Sequence, residues 1–190
     1  ASNPNAVTRA AAGPIARSVD DIAFLLQAMA GFDPADPGSV QVPIPDYLNG
    51  DTPLEPLRVG IPREHFLEVL DAEVRAAFEL SLDTLRGFGW TIQEVSIPHL
   101  KYCLGAELAI LSAEASAYHR DKMREQAEDY SSDIRRELDA GMVLLATDYL
   151  LGQRVRRIIA DEFAAAFRQV DVMATPTIPI TAPLIDQTEV

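Results

Sequence analysis

Three short β-rich segments, at 57–61, 90–97 and 170–174, are separated by runs long enough to hold at least one helix each. Spacing of that kind fits strands joined by crossovers, and a crossover returns the next strand parallel to the last. Leu57, Val59 and Ile61 alternate with Arg58 and Gly60, and Pro62 ends the run. The second segment is rich in β-formers but alternates imperfectly across Gln93 and Glu94. The third reads as a short buried strand entering TPTIPITAP, whose repeated prolines forbid further helix. The fold class expected is therefore α/β and helix-rich, with a few mostly parallel strands wrapped by helices. Three strands are few for so many apolar helices, so further strands are expected elsewhere in a larger parent protein.

The helices are legible from caps and spacing. Ser18 precedes Ile22, Leu25, Leu26 and Met29, which recur at helical intervals, with Gly31 as the stop. From 32 to 56 the density of Pro, Gly, Asp and Asn predicts a long surface loop. Asp71 is placed to cap a helix through Val74, Phe78, Leu82 and Leu85, broken by Gly87 and Gly89. An Ala- and Leu-rich run over 100–120 predicts another helix, interrupted at Ser131 and Ser132. A short helix then stops at Gly141, and the last begins near Thr147 and Asp148. Leu151, Val155, Ile158, Glu162 or Phe163, Ala166 and Phe167 form its inward stripe, leaving Arg154, Arg157 and Asp161 outward.

Composition narrows the function. With 190 residues, 48% of them hydrophobic, the chain can bury one sizeable core. A formal charge of −13, from 16 basic and 29 acidic side chains, excludes an electrostatic nucleic-acid binder. No segment has the apolar length of a membrane span, and the N-terminus has no basic-then-apolar pattern. Cys103 is the only cysteine, so an intramolecular disulfide is impossible and a reducing, cytoplasmic setting is expected. Within its apolar run Cys103 reads as a small buried hydrophobe.

Few residues offer chemistry by themselves. His65, His99 and His119 are widely spaced, none at metal-ligand spacing from a carboxylate, and read as structural; no metal or cofactor site is expected. No nucleophile elbow, P-loop, dinucleotide fingerprint or zinc-protease motif is present. Glu107 and Glu114 lie seven apart on one helical face, in a spacing open to acid and base roles but read first as a solvated face. Arg156 falls at the flank of the last helix's apolar stripe. Partial burial there calls for a carboxylate, carbonyls or a polar substrate as partner, or for a snorkelling side chain.

GPIARSVDDIAFLLQAMAGFDPADP, LRVGIPREHF, GFGWTIQEVSIPHLKY, SAEASAYH and QRVRRIIADEFAAAFRQVDVMATPTIP are five segments whose order resembles the amidase-signature family. GPIARSVDDIAFLLQAMAGFDPADP is similar to that family's Gly-Pro-x-x-Arg-x-Val stretch and Ala-Gly-x-Asp-Pro-x-Asp-Pro loop, through Gly13, Pro14, Arg17, Asp21, Gly31, Asp33, Pro34, Asp36 and Pro37. LRVGIPREHF and GFGWTIQEVSIPHLKY resemble its next two strands, and SAEASAYH its helix with a central Glu-Ala, here Glu114 and Ala115. QRVRRIIADEFAAAFRQVDVMATPTIP resembles the helix and strand leading to its T-P-T loop, here Thr175, Pro176 and Thr177.

The resemblance implies a large mixed sheet wrapped by helices and hydrolysis of a small amide by a Ser, cis-Ser, Lys triad. Both serines and the lysine would precede Ala1, so no residue of this chain is assigned a catalytic role. The sequence is thus expected to be one partial domain, 1–190, truncated at both ends and inactive alone. The resemblance also implies substrate contacts. Arg156 stands where the A subunit of tRNA amidotransferases has an arginine for the glutamine carboxylate, and Thr175 opens the loop near the active site. Glu107 and Leu108 replace that subunit's paired tyrosines, which favours an amidase of different preference. The expected partner is a small amide, with self-association through exposed edges as a further expectation and a helical interaction module as the non-catalytic alternative.

Overall fold

A computed structural model describes residues 13–36, 38–49 and 55–184. The opening residues 1–12 and parts of the predicted loop, at 37 and 50–54, lie outside the described residues. The chain divides into two compact units: the described part of Ala1–Pro53 with Leu111–Leu144, and the described part of Leu54–Ile110 with Leu145–Val190.

The second unit holds the sheet. Strands β1 (Arg58–Pro62), β2 (Thr91–Val95) and β3 (Val172–Met173) are all parallel, in the order β2-β1-β3. The register pairs Val59 with Ile92 on one side and with Val172 on the other. Central β1 is buried from Val59 through Pro62, as a parallel strand covered on both faces must be. Among the described residues strand β2 pairs with β1 alone, and it keeps Gln93 and Glu94 exposed, which accounts for its broken alternation. Gly60 admits Val170 and Val95 so closely that an added Cβ would lie 2.9 Å from a Val170 methyl. The core there joins Val95, Ala166 and Val170, with Met173 against it.

Helix α2 (Ala72–Gly87) buries Leu82, and Gly89, with φ +81°, turns the chain back into β2. The Asp71 cap expected from sequence is only positional: its side chain makes no capping bond, although its carbonyl accepts from Arg75 N–H. After β2 a 3₁₀ turn (Pro98–Tyr102) runs into α3 (Cys103–Glu125), and the last helix is α5 (Ala146–Ala166). Helix α5 buries Gly152 and Ala166, whereas Leu151 and Ile158 from the predicted stripe are exposed. The inward line passes instead through Gly152 and Val155, because Gly152 seats against the Ala106 carbonyl and Ile110 of α3. Arg58 and Asp171 fasten β1 to β3 outside the register: the guanidinium donates to both carboxylate oxygens (2.7 and 3.1 Å), and the Arg58 N–H donates to one (2.9 Å).

The first unit contains α1 (Val19–Met29), the following loop, the later part of α3, and α4 (Ser132–Met142). Ser18 Oγ accepts from Asp21 N–H at 3.1 Å, as the capping pattern predicts. No residue of α1 is buried, and Phe24 and Met29 are more than half exposed. In the loop Asp33, Asp36 and Asp46 each accept the backbone N–H two residues on, which is how Asx turns replace regular structure. Ser131 caps α4 through Ile134 N–H. Gly141 does not stop this helix: it lies inside α4, where an added Cβ would come within 2.1 Å of the Ser112 carbonyl and Ser116 Oγ. It is a packing glycine. Ser116, buried beside it, donates to the Leu138 carbonyl at 2.7 Å.

Candidate functional site

In open α/β sheets the loops leaving the carboxyl ends of parallel strands form the binding surface, because all strands deliver their chains to one edge. Here that edge receives Arg63 to Phe66 after β1, Ser96 to His99 after β2, and Thr175 onward after β3. Ala174 N–H donates to the Gly60 carbonyl at 3.0 Å, and the Pro179 carbonyl accepts from Asp71 N–H at 2.9 Å. Those two bonds hold the proline-rich loop against the start of α2. Between them lies an open groove of about 400 Å³. Its apolar lining comes from Val74, Phe78 and Ile178, and its polar groups are Glu73, Ser81 and the hydroxyls of Thr175, Thr177 and Thr181. A hydroxyl both donates and accepts, so this wall matches the N–H donors and the carbonyl of an amide equally well.

Two carboxylates brace the edge. Glu64 accepts from the Ser96 hydroxyl (2.6 Å) and from Ile97 N–H (2.7 Å), tying the exit of β1 to the exit of β2. Burial would raise its pKa, but those donations outweigh it and the carboxyl is held below its ordinary value. Glu162 of α5 receives both the His99 backbone N–H (3.1 Å) and its Nδ1 (2.5 Å). His99, with no carboxylate at metal-ligand spacing in the sequence, thus has a structural partner contributed from 63 residues away. His65, with φ 75° in the turn after β1, places Nε2 3.5 Å from Cys103 Sγ. Cys103 is half-buried at the start of α3, not the fully buried hydrophobe expected. His119 bonds the Tyr130 hydroxyl through Nδ1 at 2.9 Å, which matches its structural reading.

The four residues named from sequence stand on α3, on α5 and in the loop after β3. Thr175 lines the groove. Arg156 is exposed on α5, contrary to the partial burial expected from its place beside the stripe, since the helix rotates Gly152 and Val155 inward instead. Glu107 is half-buried on α3, and Leu108 beside it is 50% exposed. Glu73 and Ser81 in the groove had no sequence signal, whereas Thr181 belongs to the proline-rich run that holds the T-P-T loop.

A parallel-stranded unit with helices between its strands and its loops gathered at the carboxyl edge defines the general class, an α/β fold. The amidase family model matches residues 2–190, and the chain belongs to that family. It is similar to an amidase of Pseudomonas putida, 42% identical over 171 residues that cover 90% of this chain and 37% of the relative. It is also similar to the A subunit of the glutamyl-tRNA(Gln) amidotransferase of Geobacter sulfurreducens, 35% identical over 195 residues, covering 90% and 40%. A crystal structure of an amidase superimposes with a TM-score of 0.74 at 30% identity, over 94% of this chain and 37% of the other. The chain thus spans about two fifths of the length of the relatives it matches. Among the described residues no helix is long and apolar enough to cross a membrane.

Proposed function

We propose that this chain supplies scaffold and one pocket wall to an amidase that hydrolyses a small carboxylic amide to the acid and ammonia. The observation that carries the reading is the family match along the chain, with the T-P-T loop standing at the carboxyl edge of the sheet. On the resemblance, a serine alkoxide attacks the amide carbonyl, a lysine acting through the bridging serine takes and returns the proton, ammonia leaves, and water hydrolyses the acyl-serine. No counterpart of those three residues is assigned here. The role given to this chain is to hold the substrate's amide and flank beside Thr175, with Arg156, Glu107 and Leu108 deciding which acyl groups are accepted. A reducing, cytoplasmic setting belongs to the same proposal and rests on the single cysteine.

The test is amide hydrolysis by the natural protein in its full length, against a panel of uncharged and carboxylate-bearing amides. Amide turnover that Thr175→Val slows supports the reading, and absence of turnover across the panel overturns it. The similarity to the amidotransferase's A subunit favours a second reading, release of ammonia from glutamine for a partner protein. Arg156 would then bind the glutamine carboxylate, so Arg156→Met would raise KM for glutamine while leaving uncharged amides unaffected. Glutamine left intact in the partner's presence would remove that reading. Self-association of this chain draws support from the apolar residues α1 leaves exposed. A monomer by sedimentation at high concentration would rule it out.

A further inference from the structure

Within the first unit, α3 and α4 border a half-open pocket of about 150 Å³ that shares no residue with the groove beside Thr175; Ser116 and Leu138 form its buried floor, and Arg120, Arg124, Asp139 and Met142 its exposed rim. Its walls are Ser116, Met123, Leu138 and Met142, and its charged groups are Arg120, Arg124 and Asp139. Arg120 and Arg124 are one helical turn apart on α3, so their guanidiniums rise from the same face. Among the described residues neither has an ion-pair partner, although the chain carries a net charge of −13. Of the other basic side chains on these two helices, Arg136 pairs with Asp133 and Lys122 lies over the Tyr130 ring, whereas Arg120 and Arg124 both border the pocket. Ser116 is buried and spends its hydroxyl proton on Leu138, which leaves methyl, methylene and thioether groups as the rest of the lining.

We propose that this pocket binds a short-chain monocarboxylate. Two guanidiniums can grip one carboxylate with paired, charge-assisted N–H donors, while Met123, Met142 and Leu138 receive an apolar tail. At about 150 Å³ the pocket is well under half the groove's 400 Å³, which suits a tail of a few carbons. Asp139 sets the charge of the ligand. With two cations and one anion on its wall the pocket carries a net positive charge that one carboxylate neutralises, and a second anionic group would meet Asp139.

Butyrate is the probe, titrated into the full chain and followed by NMR shifts of the Met123 and Met142 methyl groups. Saturable shifts in both, absent with butyramide and at least tenfold weaker with succinate, are the expected result. Arg120→Met with Arg124→Met should abolish the shifts while circular dichroism stays unchanged, and Asp139→Asn should bring succinate within threefold of butyrate. Equal binding of butyramide would show an apolar pocket without carboxylate recognition and overturn the proposal. So would equal binding of chloride or inorganic phosphate, the mark of a non-selective cationic patch. The butyramide comparison uses the unaltered chain, so its outcome does not depend on any variant folding.

Discussion

At Gly141 a hydrogen atom is all that the α3–α4 seam allows. The obstacle includes the Ser112 backbone carbonyl and not just a movable side chain, so Gly141→Ala forces the helices apart and displaces the bond from Ser116 to Leu138. We expect a loss of about 1–3 kcal/mol, the usual cost of overpacking, read as a lower urea midpoint. Asp171 gives the second residue-scale expectation. Hydrogen bonds from the Arg58 side chain, then from its backbone N–H, draw the carboxyl pKa from 3.8 to about 2. A carboxylate depressed in the folded state contributes stability that is complete above its unfolded value and is lost as pH falls through the folded value. The Arg58–Asp171 contribution should therefore fade between pH 3.8 and about 2, and Asp171→Asn should flatten that limb of the acid denaturation curve. The pair is partly exposed to solvent, so the effect should shrink with added salt. At this scale the sequence was readable where a residue acts through its neighbours in the chain, as Ser18 does, and opaque where its partner is remote. Nothing near His99 announces Glu162.

The elements themselves follow closely from periodicity and caps. The predicted strands all form, and α2 ends on Gly87 with Gly89 just beyond it, as expected. What spacing did not reveal is which side of α5 faces inward. Leu151 and Ile158 make an apolar stripe on paper, but close approach of α3 selects the side with Gly152, because a small residue lets two backbones meet. That rotation also left Arg156 in solvent. The junction between α5 and the 3₁₀ turn depends on Glu162, whose two oxygens serve the backbone and the ring of His99. Glu162→Ala leaves the His99 N–H without its acceptor. We expect a loss of about 1–3 kcal/mol, together with faster hydrogen exchange at His99 and Leu100 than at β1.

For the whole molecule, the α/β class and the family were both legible, because five separate segments keep their order and the strands keep their crossovers. Of the groove's lining, the sequence marked the T-P-T loop, with Thr175 as its candidate contact. A groove is made by whichever elements the fold brings beside a loop, and Glu73 and Ser81 stand about a hundred residues before it in the sequence. On the proposed function, which assigns the family's serine and lysine chemistry to no residue of this chain, these residues purified alone should hydrolyse no amide of the test panel. Release of ammonia above a buffer blank would contradict that. The exposed Phe24 and Met29 of α1 further predict that this chain binds a hydrophobic dye such as ANS while retaining its helical circular dichroism.

Arg58 and Asp171 are 113 positions apart, and the strands they fasten are neighbours in the sheet. A ribosome adding about 5–20 residues per second needs roughly 6–23 seconds to travel between them, so β1 and β2 emerge long before β3. Throughout that interval β1 offers an unfilled edge to any other nascent chain nearby. Its brevity is the safeguard: β1 has five residues and closes on Pro62, which has no amide hydrogen to donate to an intruding strand. The proline that looks like punctuation in the finished sheet thus acts earliest, as protection for a half-synthesised chain.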